Sequence, residues 1–238
     1  MSLYSAHLIT CPHCEMQWSQ KIHRSVRVSG SPEVRQSIID RSWEVFACPR
    51  CHRGVQVHQF PMVYLDMEGN LYIAVEARGE TPWRELLKKH QNSFDQSFFF
   101  APEVVRTMSQ GLQARLVFGF GALREKIILH RAGLDDYLVE AIKGDILRER
   151  DINPSEIQLR VESVLDGGHL LMAFLPKAPP SVQHDATSSI VSPTRPQKWV
   201  TILADRYVAR GAKRAKILKQ YAWLSGNWIV DIHVTHPG

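Results

Sequence analysis

Two copies of one four-residue knuckle, Cys11-Pro12-His13-Cys14 and Cys48-Pro49-Arg50-Cys51, stand ahead of runs that alternate like strands and runs periodic like helices. Together they predict an α+β chain: an N-terminal four-cysteine zinc ribbon with a helical insert, followed by a mixed α/β domain. The knuckles use all 4 cysteines of the chain. A C-x-x-C bend brings two thiolates to one side of the backbone, and two bends close a tetrahedral shell that suits zinc. Two disulfides or a redox-active C-x-x-C are the alternatives. A redox pair normally stands alone, whereas this one is duplicated, and disulfides need an oxidising compartment. Cys11, Cys14, Cys48 and Cys51 are therefore the candidate ligands of a structural zinc, with His13 and His52 as flanking bystanders.

The segment from Glu15 to Ala47 is longer than the gap of about 15–20 residues in a minimal four-cysteine motif, so the insert must fold. Ser31-Pro32-Glu33 reads as a cap, a first-turn proline and an acid matched to the helix dipole; Val34, Ile38 and Ile39 follow at helical spacing. Past Cys51, Val55 and Val57 alternate with polar residues. Met62 to Met67 and Leu71 to Val75 then flank Glu68-Gly69-Asn70 as a hairpin.

Thr81-Pro82-Trp83 starts a helix expected to run to about Gln91, and Phe98, Phe99 and Phe100 are expected to pack in the core. Arg115 to Gly119 reads as a strand leading through Gly119-Phe120-Gly121 into a helix from Ala122 to Leu129. That order raises the question of a phosphate-binding loop. No Gly-Lys-Ser/Thr closes it and no third glycine falls at dinucleotide spacing, so a tight structural turn is the reading.

A helix from Leu134 to Glu149 carries Asp135, Asp136, Glu140 and Lys143. Leu134, Leu138, Ala141 and Ile142 form its expected inward stripe, and spacings of three and four residues make the charges a surface ladder. An acid cluster with a cation is the catalytic alternative. Glu156 to Leu165 and His169 to Leu175, joined by Asp166-Gly167-Gly168, form a second hairpin.

The doubled C-P-x-C with an insert of this length resembles the bacterial CpXC family. Leu123-Arg124-Glu125-Lys126-Ile127 and Leu134-Asp135-Asp136-x-x-Val139-Glu140-x-x-Lys143 are similar to stretches common in the same proteins, so the resemblance spans residues 9 to 150. It implies a zinc-ribbon-like domain of uncharacterised function and brings no catalytic residues.

Residues 177–197 are rich in proline, serine and threonine and read as a linker or loop. The expected domains are 1–80, 81–176 and a C-terminal piece, 198–238, docked on the preceding one. In that piece Trp199, Leu203 and Tyr207 fall at helical spacing and residues 227–236 alternate as a strand. Between them lie Arg206, Arg210, Lys213, Arg214, Lys216 and Lys219, with Tyr207, Tyr221 and Trp223 nearby. Basic residues among aromatics suit a nucleic-acid backbone and its bases; a solvated helical face, which such runs usually are, is the plainer reading. A net charge of +5 is modest for a dedicated nucleic-acid binder.

At 44% hydrophobic and 22% charged the chain has the composition of a globular protein. No apolar run has membrane-spanning length and no secretory pattern opens the sequence, so the expected location is the cytoplasm. The sequence holds no recognisable active site. The expectation is a zinc-binding interaction module whose partner is another protein, with nucleic acid as the alternative and no membrane.

Overall fold

The computed structural model describes residues 3–57, 61–77, 81–177, 198–220, 228, 229 and 231. It confirms the mixed α/β class, with seven α-helices and three sheets among the described residues. The chain divides into two compact units, the first running to Phe120 and the second beginning at Gly121.

The first unit is built on a five-stranded sheet. Its strands are β1 (Leu3–Thr10), β2 (Gln17–Arg27), β5 (Met62–Asp66), β6 (Leu71–Glu76) and β7 (Gln113–Phe118), in the order β1-β2-β5-β6-β7. β1 and β2 form an antiparallel hairpin with Ile9 opposite Trp18 and Thr10 opposite Gln17, which places the first knuckle at its tip. A separate two-stranded hairpin, β3 (Val45–Ala47) and β4 (Gly54–Gln56), carries the second knuckle at its own tip. The predicted insert helix is present as α1 (Pro32–Ile39), although the Ser31 side chain makes no capping bond. β5 and β6 form the predicted hairpin. The core of the sheet holds Ile22, Val26, Met62, Tyr64, Ile73, Val75 and Leu116.

β6 and β7 run parallel, so their connection must cross the sheet. Residues 81–112 make that crossover through α2 (Trp83–Phe99) and α3 (Glu103–Ser109), and the first unit therefore extends past the expected boundary at residue 80. α2 is two turns longer than its sequence signals indicate. Phe98 and Phe99 are its last residues, and Phe99 and Phe100 are exposed at 69% and 84% rather than packed in the core. The aromatic run follows helical periodicity only as far as Phe94 and Phe98, whose rings lie 4.7 Å apart, with Phe94 against Tyr72.

The second unit contains α4 (Phe120–Arg131), α5 (Asp136–Glu149), β8 (Ile157–Val164), β9 (Leu170–Pro176), β10 (Lys198–Ile202), α6 (Ala204–Gly211) and α7 (Arg214–Gln220). Gly119, at φ +80°, makes the turn into α4 while its N–H donates to the Glu76 carbonyl at 2.9 Å, as a structural turn should. β8 and β9 form the predicted hairpin, with Gly167 and Gly168 at φ 76° and 78°. Trp199 lies in β10, paired with Ala173, and not in a helix with Leu203 and Tyr207. β-branched Val200, Thr201 and Ile202 favour the strand, and α6 starts only at Ala204. Tyr137, Leu138, Ala141 and Ile217 form a small core between α5 and α7, with Tyr207 packed against it. The predicted linker at 177–197 and final strand at 227–236 fall almost wholly outside the described residues, as do Tyr221 and Trp223.

Candidate metal centre

The two knuckles share one backbone design. The Cys11 N–H donates to Met16 O at 2.8 Å and the Glu15 N–H to Cys11 O at 2.9 Å; in the second knuckle Cys48 N–H donates to Arg53 O and His52 N–H to Cys48 O, both at 2.9 Å. Glu15 and His52 occupy the same step of each bend, at φ 59° and 57°. Neither is glycine, so each carries a left-handed strain of about 1–2 kcal/mol that the surrounding structure must hold.

These bends bring together the four sulfurs predicted from the sequence. All four Sγ atoms lie within 4.8 Å of one another, with Cys11–Cys51 at 3.6 Å and Cys14–Cys48 at 3.5 Å. None of the four is in a disulfide. Sulfurs about 2.3 Å from a tetrahedral metal would be about 3.8 Å apart, so the cluster has the dimensions of a metal-binding shell. Cys11 and Cys48 are completely buried, Cys14 and Cys51 partly so, and the His13 N–H lies 3.4 Å from Cys11 Sγ. Among the described residues no histidine or acid joins the cluster.

The thiols are electrostatically unequal. Burial opposes ionisation of Cys48, but the N–H groups of Cys51 and Arg50 outweigh it and hold the thiol down to about 6. At Cys14 the Met16 N–H favours the thiolate; burial and the neighbouring thiols overcome it and push the group up to about 12. The site thus favours the thiolate at Cys48 and the thiol at Cys14, whose proton a bound cation would displace. Arg50, which donates to Cys14 O at 3.4 Å, and Arg53, against His13 at 3.2 Å, place positive charge at the rim.

One contact between the hairpins was not legible in the sequence. Glu44, just before β3, has a buried carboxylate that meets His23 Nδ1 of β2 and accepts the His23 N–H at 3.4 Å. The His23 ring sits between those of Tyr4 and Trp43, at 4.2 and 4.5 Å. Glu44 O also accepts the Val57 N–H at 3.0 Å. This tether fixes the second hairpin against the first sheet and so sets where the two knuckles meet. Residues 21 apart with no shared motif give no local signal of such a contact.

The charges on α5 are not a surface ladder. Asp135 caps the helix, accepting the Tyr137 N–H at 3.0 Å. Asp136, Glu140 and Lys143 are buried, with Glu140 and Lys143 wholly so. Lys143 bonds Glu140 at 2.7 Å and also Glu125 of α4; Lys126 of α4 lies 3.1 Å from Asp136 and 3.6 Å from Glu140. Arg160 of β8 reaches Glu125 at 3.6 Å and Asp231 at 3.2 Å. α5 is buried on every side from Asp136 to Leu147, so the spacing that suits a solvated ladder here serves an internal network. Burial opposes the charge of Glu140, yet Lys143 and Lys126 hold its carboxyl below the ordinary range; at Glu125 burial wins and raises it. Every carboxylate of the network faces a cation, which is the pattern of internal ion pairing and not of a metal-dependent site.

The basic run is divided among α6, the turn at Lys213 and α7. Arg206 donates to Glu149 at 2.7 Å and Arg210 pairs with Asp145, so α5 engages the two arginines of α6. Lys213, Lys216 and Lys219 are exposed, and Arg214 opens α7.

No helix among the described residues is long and apolar enough to cross a membrane. No curated protein and no solved structure matches the chain. A family model described as CpXC protein matches residues 9–143, a span that takes in both knuckles, Glu44, and the Glu125, Lys126, Asp136, Glu140 and Lys143 of the buried network. With more than half of its length inside that match, the chain belongs to the CpXC family.

Proposed function

We propose that this protein is a zinc-stabilised interaction module that presents a folded surface to another protein. The observation that carries the metal reading is the tetrahedral-sized cluster of Cys11, Cys14, Cys48 and Cys51. Four soft thiolates in a closed shell leave no open position for a substrate, which favours a structural ion, and zinc is the usual occupant of such a shell. The ion would lock the β1–β2 hairpin to the small β3–β4 hairpin, whose three-residue strands are too short to hold themselves.

The interaction reading is supported by the first unit's surface. Phe99, Phe100, Val104 and Met108, at the end of α2 and along α3, are exposed at 69%, 84%, 72% and 44%. Large apolar side chains held in solvent cost solubility and are characteristic of binding surfaces. The test is capture by a candidate partner of the metal-loaded chain against a Phe99→Ser/Phe100→Ser variant. Equal capture of both, with the metal retained, would refute this use of the surface.

Nucleic-acid binding through Arg206, Arg210, Lys213, Arg214, Lys216 and Lys219 is the second reading. Exposed Lys213, Lys216 and Lys219 support it, while the pairing of Arg206 and Arg210 with α5 weakens it. Fluorescence anisotropy with labelled DNA and RNA across a salt series tests it, because phosphate contacts give a steep salt dependence. No binding at low salt would remove it.

A further inference from the structure

The outer edge of β1 is the feature that the proposed function does not use. Among the described residues β1 ends the five-stranded sheet, and no described strand lies on its outer side. Proteins usually protect such an edge with charge, proline or shortness. The other sheet edges here follow that rule: β7 carries Arg115, β8 carries Arg160 and Glu162, β10 carries Lys198, and β3 and β4 are three residues long. β1 reads Leu3-Tyr4-Ser5-Ala6-His7-Leu8-Ile9-Thr10, with no Lys, Arg, Asp, Glu or Pro over eight residues. Leu3, Tyr4 and Leu8 are exposed at 61%, 55% and 46%.

We propose that β1 pairs antiparallel with β1 of a second copy of this chain about a two-fold axis through Ala6, joining two five-stranded sheets into one. The sequence of the strand fits itself in this register. Ala6 faces Ala6, the smallest pair at the axis; Tyr4 faces Leu8 of the second copy, and Leu8 faces its Tyr4, so the exposed apolar side chains cover one another twice. On the opposite face Ser5 meets His7, groups that already bond within one chain at 2.6 Å, and Leu3 meets Ile9. An isologous contact requires such self-complementarity, and aromatic–aliphatic and hydroxyl–imidazole pairs across strands are favourable. An axis through His7 would instead set imidazole against imidazole and Tyr4 against Thr10. A shift of one residue would put the matched side chains on opposite faces. A second copy is the occupant because an uncharged strand offers no electrostatic selection for a different partner. The pairing does not depend on which metal fills the cysteine cluster.

The test is sedimentation equilibrium of the metal-loaded full chain, alone and as Ala6→Lys and Ala6→Glu variants. Ala6 is exposed, so either side chain is accommodated in the folded monomer. The wild type is expected to be a dimer. Each variant sets like charges face to face and should weaken association by about tenfold. An equimolar mixture of the two sets Lys against Glu and should restore the dimer. A monomeric wild type, variants that associate as tightly as the wild type, or a mixture without rescue would each overturn the proposal. Amide exchange of the unsubstituted chain gives an independent reading: β1 protection should fall on dilution, and protection independent of concentration would contradict it.

Discussion

Lys143 donates to Glu140 at 2.7 Å one helical turn away on α5, and neither side chain reaches solvent. The same ammonium bonds Glu125 of α4, so one cation joins two helices in the interior of the second unit. Burying these charges costs several kcal/mol each, which the pairing offsets only while every member is present.

Lys143→Met should therefore destabilise the second unit by about 3–5 kcal/mol, because it leaves Glu125 and Glu140 buried without their shared cation. Denaturant unfolding followed by a probe in this unit measures it. A loss below about 1 kcal/mol would show the pair to be replaceable packing.

Glu76 of the first unit gives a pH dependence with a definite sign. Burial opposes its charge, but His90, at 2.7 Å, and Lys89, at 3.1 Å, outweigh that and lower its carboxyl from the ordinary 4.5. A carboxylate lowered on folding stabilises above its unfolded value, and the contribution is lost as pH falls through the folded one. The melting temperature of the wild type should exceed that of Glu76→Gln near neutral pH, with the gap closing below about pH 4.5. A gap that stays constant down to pH 3 would contradict the assignment.

Much of this architecture is legible in the sequence where the signal is local. The knuckles, the α1 proline, the Glu68-Gly69-Asn70 turn and the Gly167-Gly168 turn each declare themselves within a few residues. What escapes is set by contacts distant in the chain. Phe99 and Phe100 look like core residues by composition, but helix α2 continues through the run and turns them outward. Glu140 and Lys143 have the spacing of a solvated pair, and only the packing of α4 and β8 around them shows that they are internal. Glu44 and His23 belong to separate hairpins and meet only when both knuckles are placed.

Tyr207 supplies a smaller test. Its hydroxyl accepts the Asp135 N–H at 2.8 Å and ties α6 to the start of α5. Tyr207→Phe removes that acceptor at a half-buried site and should cost about 1 kcal/mol. No change in stability would mean that solvent satisfies the amide equally well.

Cys48→Ser should abolish tight metal binding, because a hydroxyl cannot replace the Cys48 thiolate, which its N–H donors favour. Amide exchange should then show lost protection at both hairpin tips. The buried network of the second unit has no ligand in the cluster, so its exchange should be unaltered; loosening there would mean that the metal stabilises the whole chain.

The most direct measurement is metal analysis of the purified chain by mass spectrometry, joined to X-ray absorption at the metal edge. One zinc per chain with four sulfur neighbours at about 2.3 Å is the expected result. A chain that folds with no bound metal, or one holding iron or a mixed nitrogen and sulfur shell, would contradict the structural four-thiolate zinc centre.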